Sequence, residues 1–434
     1  MASLFRQPSR WLALLLLILE CGALPALAHP MPNSLVLLTV HPQRLEAEVH
    51  LPLGELQPAF QYPVADSTAG LVQRWGPQLR QYLTQHVRVQ SADGRYWGLR
   101  VGDLVVQHQA NELNGPYNEV VAYLHLLPPP GADVRRFVLR YDAIVHQVVT
   151  HKILVSVRQD WAAGQVAEDA TPTQVGVIEM DVVNSVILPL AVSLTAGSPW
   201  RGFVAMVKLG IRHIAEGPDH LLFLLALLLP APLLVASRRW GGYSGPRYSL
   251  RRLLLLVTAF TLGHSLTLLL GALGWVRLPT QPVEILIAVS ILVAAAHAVR
   301  PLFPGRETWV AAGFGLVHGL AFASTLATLH LEAGPLALSL LGFNVGIELM
   351  QLLVVGLTIP WLLLLACTPY YQYVRLGGAA LSGIAAAAWL AERLSGGSNA
   401  LTRALATAVP CAPWLLAALA ISSVVLYQRR RQLT

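Results

Sequence analysis

Two histidines, a glutamate and an aspartate sit together in His213-Ile-Ala-Glu216-Gly-Pro-Asp219-His220, and an apolar run follows at once from Leu221 to about Ala236. Imidazole and carboxylate in such a place could hold a divalent cation or move a proton. The run is long enough to cross much of a bilayer. Ionisable groups at that depth are costly and face a bundle interior or a water-filled cavity. On an unbroken helix His213, Glu216 and His220 would share one face. Gly217-Pro218 argues against an unbroken helix, because Pro218 has no amide hydrogen and clashes with the turn before it. An interrupted helix frees backbone groups, tolerable at membrane depth only where they line protein or a cavity. The plainer alternative is a helix entry with caps and interfacial charges.

Polar groups recur inside three later apolar stretches. Phe260-Thr-Leu-Gly-His264-Ser-Leu-Thr267 carries Thr261, His264 and Thr267 at three-residue spacing. In Gly313-Phe-Gly-Leu-Val-His318-Gly the residues Gly315, Gly319 and Ala323 form a stripe that lets helices approach closely. Asn344, Glu348 and Gln351 share a helix face, and Glu348 is a carboxylate close to mid-span. A lone histidine here would be read as an interhelical hydrogen bond; four segments with such groups at similar depth favour one hydrophilic path. The candidate metal ligands are His213, Asp219, His220, His264, His318 and Glu348, with Glu216, Thr267, Asn344 and Gln351 in support. Imidazole and carboxylate suit nickel, cobalt, zinc or copper(II), and thiolate is absent from the set. His297, His330 and Glu284 lie near span ends and are assigned no role.

The chain that carries these groups has 434 residues, is 55% hydrophobic and only 12% charged, with mean hydropathy +0.55. A soluble domain carries about twice that charge. The composition is that of an integral membrane protein with one sizeable soluble part. The net charge of +7 comes largely from arginines in short loops, so it is no nucleic-acid signature. Seven spans are predicted, at about 202–235, 253–275, 281–299, 308–329, 335–366, 374–392 and 404–427. Arg238, Arg239, Arg247, Arg251, Arg252, Arg300, Arg306, Arg375 and Arg429 to Arg431 fall in alternate connections and at the end. The other loops hold Arg277, then Glu332 with no arginine, then Arg393 and Arg403. The positive-inside rule puts the first set, and the C-terminus, in the cytoplasm.

Residues 1–28 read as a secretory signal, with Arg6 and Arg10 before an apolar core and Ala26-Leu-Ala28 as a cleavage site. The alternative is an uncleaved anchor. After cleavage, the amine and imidazole of His29 could chelate a divalent metal. Residues 29–198 read as an exported all-β, sandwich-like domain, and residues 199–434 as the transmembrane helical domain. Strand-like runs are Ser34–Val40, Leu45–Leu53, Val87–Gln90, Tyr96–Val106, Glu119–Leu127, Phe137–Val145, Lys152–Val157 and Gln174–Val183. Leu71–Gln85 is helix-like, with Gly76-Pro77 as an interruption. The domain's histidines, His41, His50, His86, His108, His125, His146 and His151, show no metal-ligand spacing. It contains no cysteine, so it has no disulfide framework.

At these residues the chain resembles the HupE/UreJ permease family, specifically its larger branch with an exported N-terminal domain, and more distantly the nickel/cobalt transporters. The features are His213-x5-Asp219-His220, the Gly217-x-Asp-His-Leu-Leu-Phe-Leu-Leu225 run, Phe260-Thr-x-x-His-Ser265, His318-Gly319 and Phe343-Asn-x-Gly-x-Glu348. The similarity covers roughly residues 200–366. It implies uptake of nickel or a similar divalent metal at the cytoplasmic membrane, with His213, Asp219 and His220 as the metal motif. Smaller members of that family typically carry a second histidine and a glutamate where this chain has Phe314 and Ala321. Two other readings stay open: a seven-span zinc hydrolase, for which Ser265 beside His264 leaves room, and a non-transporting receptor or assembly protein. The partners implied are the lipid bilayer and a metal ion, with no nucleic acid; the sequence names no protein partner for the exported domain.

Overall fold

In the computed structural model, residues 32–433 are described apart from 66–67, 112–114, 167–170, 277, 329–330, 398 and 409–410. The leader, the chelating N-terminus at His29, Arg277 and His330 lie outside the described residues. The chain divides into two compact units, one of residues up to 158 plus 172–194, the other of 159–171 plus 195 onward.

The first unit is β-rich. Its strands are β1 (Ser34–Val40), β2 (Leu45–Pro52), β3 (Val87–Ser91), β4 (Gly98–Asn111), β5 (Gly115–Leu127), β6 (Arg136–Tyr141), β7 (Ile153–Asp160), β8 (Thr173–Ile178), β9 (Met180–Asp181), β10 (Val186–Ile187) and β11 (Leu190–Ser193). Six of them form one sheet in the order β4-β5-β2-β1-β7-β8, and three form another in the order β11-β6-β3. Helices α1 (Leu53–Phe60) and α2 (Leu71–His86) complete the unit. Leu38, Val49, Leu124, Phe137, Leu139 and Leu83 belong to one buried cluster, so both sheets and α2 share a core. Alternation explains the register. Pairing Leu45 with Leu126, Ala47 with Leu124 and Val49 with Ala122 puts Leu45, Ala47, Val49 and Leu51 of β2 and Val120, Ala122, Leu124 and Leu126 of β5 on one face. The opposite face then collects Glu46, Glu48, His50, Glu119 and His125. Helix α2 runs through Gly76-Pro77 without interruption, because Leu71, Leu79 and Leu83 are packed in the core. That packing outweighs the ~3 kcal/mol an interior proline costs.

The second unit is helical. It opens with a 3-10 turn, Trp161–Ala163. The helices are α3 (Pro199–Glu216), α4 (Pro218–Leu228), α5 (Pro246–Ala272), α6 (Thr280–Val299), α7 (Glu307–Thr328), α8 (Ala333–Ala366), α9 (Tyr371–Ser395), α10 (Ala400–Ala408) and α11 (Ala412–Leu433). Among the described residues, α5, α6, α8, α9 and α11 are each long and apolar enough to cross a membrane. A short hairpin, β12 (Leu233–Ala236) and β13 (Arg239–Tyr243), joins α4 to α5. Ser198 caps α3 by accepting from the Trp200 amide, with Pro199 at the first helical position.

Hydropathy carries the first span to about residue 235, but the helix breaks at Gly217, restarts at Pro218 and stops at Leu228. Pro230 and Pro232 prevent its continuation. The two pieces follow α8 in succession: Met206 and Ile214 cluster with Phe343 and Ile347, whereas Leu224 and Leu228 cluster with Val355, Ile359 and Leu362. The last span likewise begins at Ala412, with α10 as a separate short helix before it.

Candidate metal centre

The interruption in the first span builds the centre. Gly217 is extended (φ −85°, ψ 100°) and ends α3; Pro218 starts α4 at its first helical position. A Cβ at Gly217 would press on the His220 ring and the His213 carbonyl, so the break needs glycine. Asp219 and His220 therefore stand at the N-terminus of a half-helix within the bundle, where unpaired amides and the helix dipole favour negative charge.

Three further helices bring histidines to the same place. The His213 and His220 rings have centroids 4.6 Å apart, His220 and His318 5.2 Å, and His213 and His264 6.2 Å. Ligand atoms of Asp219, His220 and His318 all lie within 4.8 Å of one another. His264 and His318 are 0% and 1% exposed, and His220 is 8% exposed. Phe223, Phe260 and Phe343 pack around the rings.

The hydrogen bonds indicate which nitrogen each ring offers. Ser290 gives its hydroxyl proton to the Ile287 carbonyl at 2.7 Å. It therefore accepts from His318 Nε2, 3.0 Å away, and Nδ1 of His318 is left as a bare lone pair. His220 Nδ1 lies 3.1 Å from an Asp219 carboxylate oxygen, which makes Nδ1 the donor and Nε2 the free lone pair. Among the described residues, Nε2 of His213, Nε2 of His220 and Nδ1 of His318 are buried without a hydrogen-bond partner, and His264, fully buried, interacts with the Asn344 side chain. Buried polar atoms are nearly always paired, so several such nitrogens in one cluster point to a ligand. A cavity of about 310 Å³ reaches the cluster. Its lining includes His213, Asp219 and His220, and at its other end Glu284, Trp389 and Arg393. Glu284 and Arg393 form an ion pair of 2.9 Å across that end.

Not every candidate converges. Glu348 stands with the α5 hydroxyls, accepting from Thr258 at 3.1 Å and Thr261 at 2.6 Å, and Thr261 also contacts Gln351 at 3.1 Å. Glu216 is exposed and pairs with Arg212 at 3.6 Å. Thr267 donates to carbonyls of its own helix. Asn344 donates to the Leu340 carbonyl at 2.7 Å and is the one supporting residue of α8 that interacts with a cluster histidine, His264. Ser265 also bonds within its helix, to the Thr261 carbonyl at 2.6 Å. Ser290 is the residue that sequence reasoning misses. Its hydroxyl sets the His318 tautomer, and nothing but its serine type in an apolar helix signals it.

No curated protein and no solved structure matches the chain. A family model described as HupE / UreJ protein matches residues 191–393. That stretch contains the broken helix, the four clustered histidines, Asp219 and Ser290, and over it the chain is similar to the HupE/UreJ family.

Proposed function

We propose that the helical unit carries a divalent transition-metal cation across the cytoplasmic membrane. The observation that supports this is the cluster of Asp219, His220 and His318, with ligand atoms within 4.8 Å of one another and an unpartnered buried nitrogen on each imidazole. The ligands are His220 Nε2, His318 Nδ1 and the Asp219 carboxylate, with His213 and His264 as the neighbouring positions. Ser290 and the Asp219 oxygen bonded to His220 Nδ1 hold the tautomers that present a lone pair, and the second Asp219 oxygen is the one left to ligate. The donor set is imidazole and carboxylate without thiolate, which suits nickel or cobalt, then zinc or copper(II). A carrier must also release its cargo, so few ligands engage at once and they exchange.

The orientation follows from the leader and the arginine asymmetry: the β unit is exported and the C-terminus is cytoplasmic. Two experiments test the reading. Purified protein in detergent is titrated with nickel, cobalt and zinc, and vesicles containing it are assayed for uptake of the radiolabelled ions. Stoichiometric binding with uptake is expected; absence of both overturns the proposal. Reporter fusions at residue 150 and at the C-terminus are expected on opposite sides, and the same side for both overturns the orientation.

A further inference from the structure

Two helix couples in the helical unit are built alike. In the α3–α8 couple, a Cβ on Gly210 would land on the Phe343 carbonyl and the Ile347 amide, and one on Gly346 would land on the Val207 carbonyl and the Ile211 amide. In the α5–α7 couple, one on Gly315 would land on the Phe260 carbonyl and the His264 amide. One on Gly263 would land on the Ala312 carbonyl and the Leu316 amide. Gly210 thus plays the part of Gly315, and Gly346 that of Gly263.

The sequence follows the same correspondence. Gly210-Ile-Arg-His213 in α3 matches Gly315-Leu-Val-His318 in α7. Phe343-x-x-Gly346-x-x-Leu349-x-x-Leu352-Leu353 in α8 matches Phe260-x-x-Gly263-x-x-Leu266-x-x-Leu269-Leu270 in α5. The side chains agree: the His213 ring lies 5.4 Å from Phe343, and its counterpart His318 lies 5.2 Å from Phe260. Ser290 with Ala294–Ala296 in α6 matches Ser382 with Ala386–Ala388 in α9, and those two helices pack together.

Directions complete the pattern. Gly342 abuts Phe203 where Gly346 abuts Val207, so α3 and α8 are parallel; Gly315 abuts Phe260 where Gly319 abuts His264, so α5 and α7 are parallel. The couples oppose each other, because Thr261 meets Glu348 while His264, further along α5, meets Phe343, which comes earlier in α8. We infer that the helical unit is an inverted repeat, α3-α5-α6 against α7-α8-α9. In it His213 and His318 are equivalent half-sites, and His220, on the unmatched half-helix α4, is the ligand they share. The cargo passes from one half-site to the other as the repeats exchange conformations, which rests on the cation-carrying reading above.

The inference assigns a gate. The cavity lining extends to Glu284 and Arg393, both part-exposed where α6 begins and α9 ends, and that end is assigned as its mouth. The correspondence of Ser290 with Ser382 pairs the cavity-lining Ile287 and Trp389 with Ala379 and His297, near the opposite end. That end is shut: Leu229, Ala298 and Ala379 form a buried cluster, Tyr371 donates to the Leu229 carbonyl at 2.5 Å, and Arg375 donates to the carbonyls of Ala298 and Val299. In the alternate state this end opens and the Glu284–Arg393 end closes.

The test uses a full-length chain whose three cysteines are replaced by serine, reconstituted in vesicles. Separate variants carry Ile287→Cys, Ala379→Cys or Ala298→Cys as reporters for a membrane-impermeant maleimide applied from one side at a time. Adding Glu284→Cys with Arg393→Cys and closing their disulfide locks the mouth. Ile287→Cys is expected to lose labelling on locking. Ala379→Cys and Ala298→Cys are expected to gain labelling from the opposite side by at least about tenfold, since an unlocked minor state is roughly 0.1–10% populated. No gain at either reporter in a chain that stays folded and monodisperse overturns the repeat exchange. Reciprocal labelling without binding of nickel, cobalt or zinc ions by the unlocked protein overturns the cation reading and leaves the repeat standing.

Discussion

The two units treat most of their buried histidines differently. In the β unit, His50 is held between Glu119 at 2.7 Å and Glu48 at 3.0 Å, His86 pairs with Asp142 at 2.8 Å, and His151 lies 2.8 Å from the Ser34 hydroxyl and 3.3 Å from Glu55. In the helical unit, His213, His220 and His318 each keep a ring nitrogen buried and unpartnered within one cluster. A histidine with a carboxylate or hydroxyl on each nitrogen is internally satisfied and has no reason to take a cation. A cluster of histidines that fail to satisfy one another does. His297 stands apart from the cluster: its Nε2 has no partner, its other nitrogen accepts from the Leu302 amide at 3.1 Å and its ring stacks on Phe303.

Substitution on the two sides of this divide gives the largest contrast. His220→Ala removes a proposed ligand, and cation binding measured by calorimetry is expected to fall by more than the roughly 10–100-fold that losing a group behind a ligand costs. His50→Ala leaves cation binding unchanged. Equal loss in both would erase the distinction.

Next in size is the helix packing that brings the rings together. Gly346→Val and Gly263→Val drive a side chain into the carbonyl of the facing helix, where nothing flexible can yield. Overpacking of this kind costs about 1–3 kcal/mol or more. Thermal unfolding in detergent is expected to shift down for both, whereas Gly356→Val, with open space around it, stays near the parent.

The β unit gives a smaller, pH-dependent effect. Burial opposes a charge on His50, but hydrogen bonds to Glu119 and Glu48 overcome it and raise its pKa to about 9. A pKa raised on folding stabilises fully below the unfolded value, about 6.5, and that contribution is lost as pH climbs through about 9. Burial lowers the His151 pKa to about 4, so the fold there loses stability as pH drops from about 6.5 toward 4. Amide exchange of β1, β2 and β5 is expected to quicken between pH 7 and 9 beyond the intrinsic pH dependence, and this excess disappears in His50→Gln. An unchanged excess in that variant would contradict the assignment.

The smallest expected effect is that of Glu348→Gln. Its partners are Thr258 and Thr261, not the histidines, so equilibrium cation affinity stays at the parent value in the same calorimetric titration. A loss as large as that of His220→Ala would return Glu348 to the ligand set.

Much of this organisation is legible in one dimension. Apolar runs, arginine-rich loops and strand alternation separate a β-rich part from a helical part, because burial acts through composition and period. Gly217-Pro218 announces its own break, since proline cannot continue the turn before it. His213, Asp219, His220, His264 and His318 are conspicuous as polar groups in apolar helices. Their convergence, and the exclusion of Glu348 from it, are tertiary. Periodicity puts Asn344, Glu348 and Gln351 on one face of α8, but the rotation of that helix is set by Gly342 and Gly346 lying against α3. The tautomer of His318 depends on Ser290, 28 residues away on another helix. The β unit's paired histidines and the cluster's histidines, which keep a ring nitrogen free, are the same residue type in sequence. What separates them is which atoms stand within 3 Å, and only the packing of distant segments decides that.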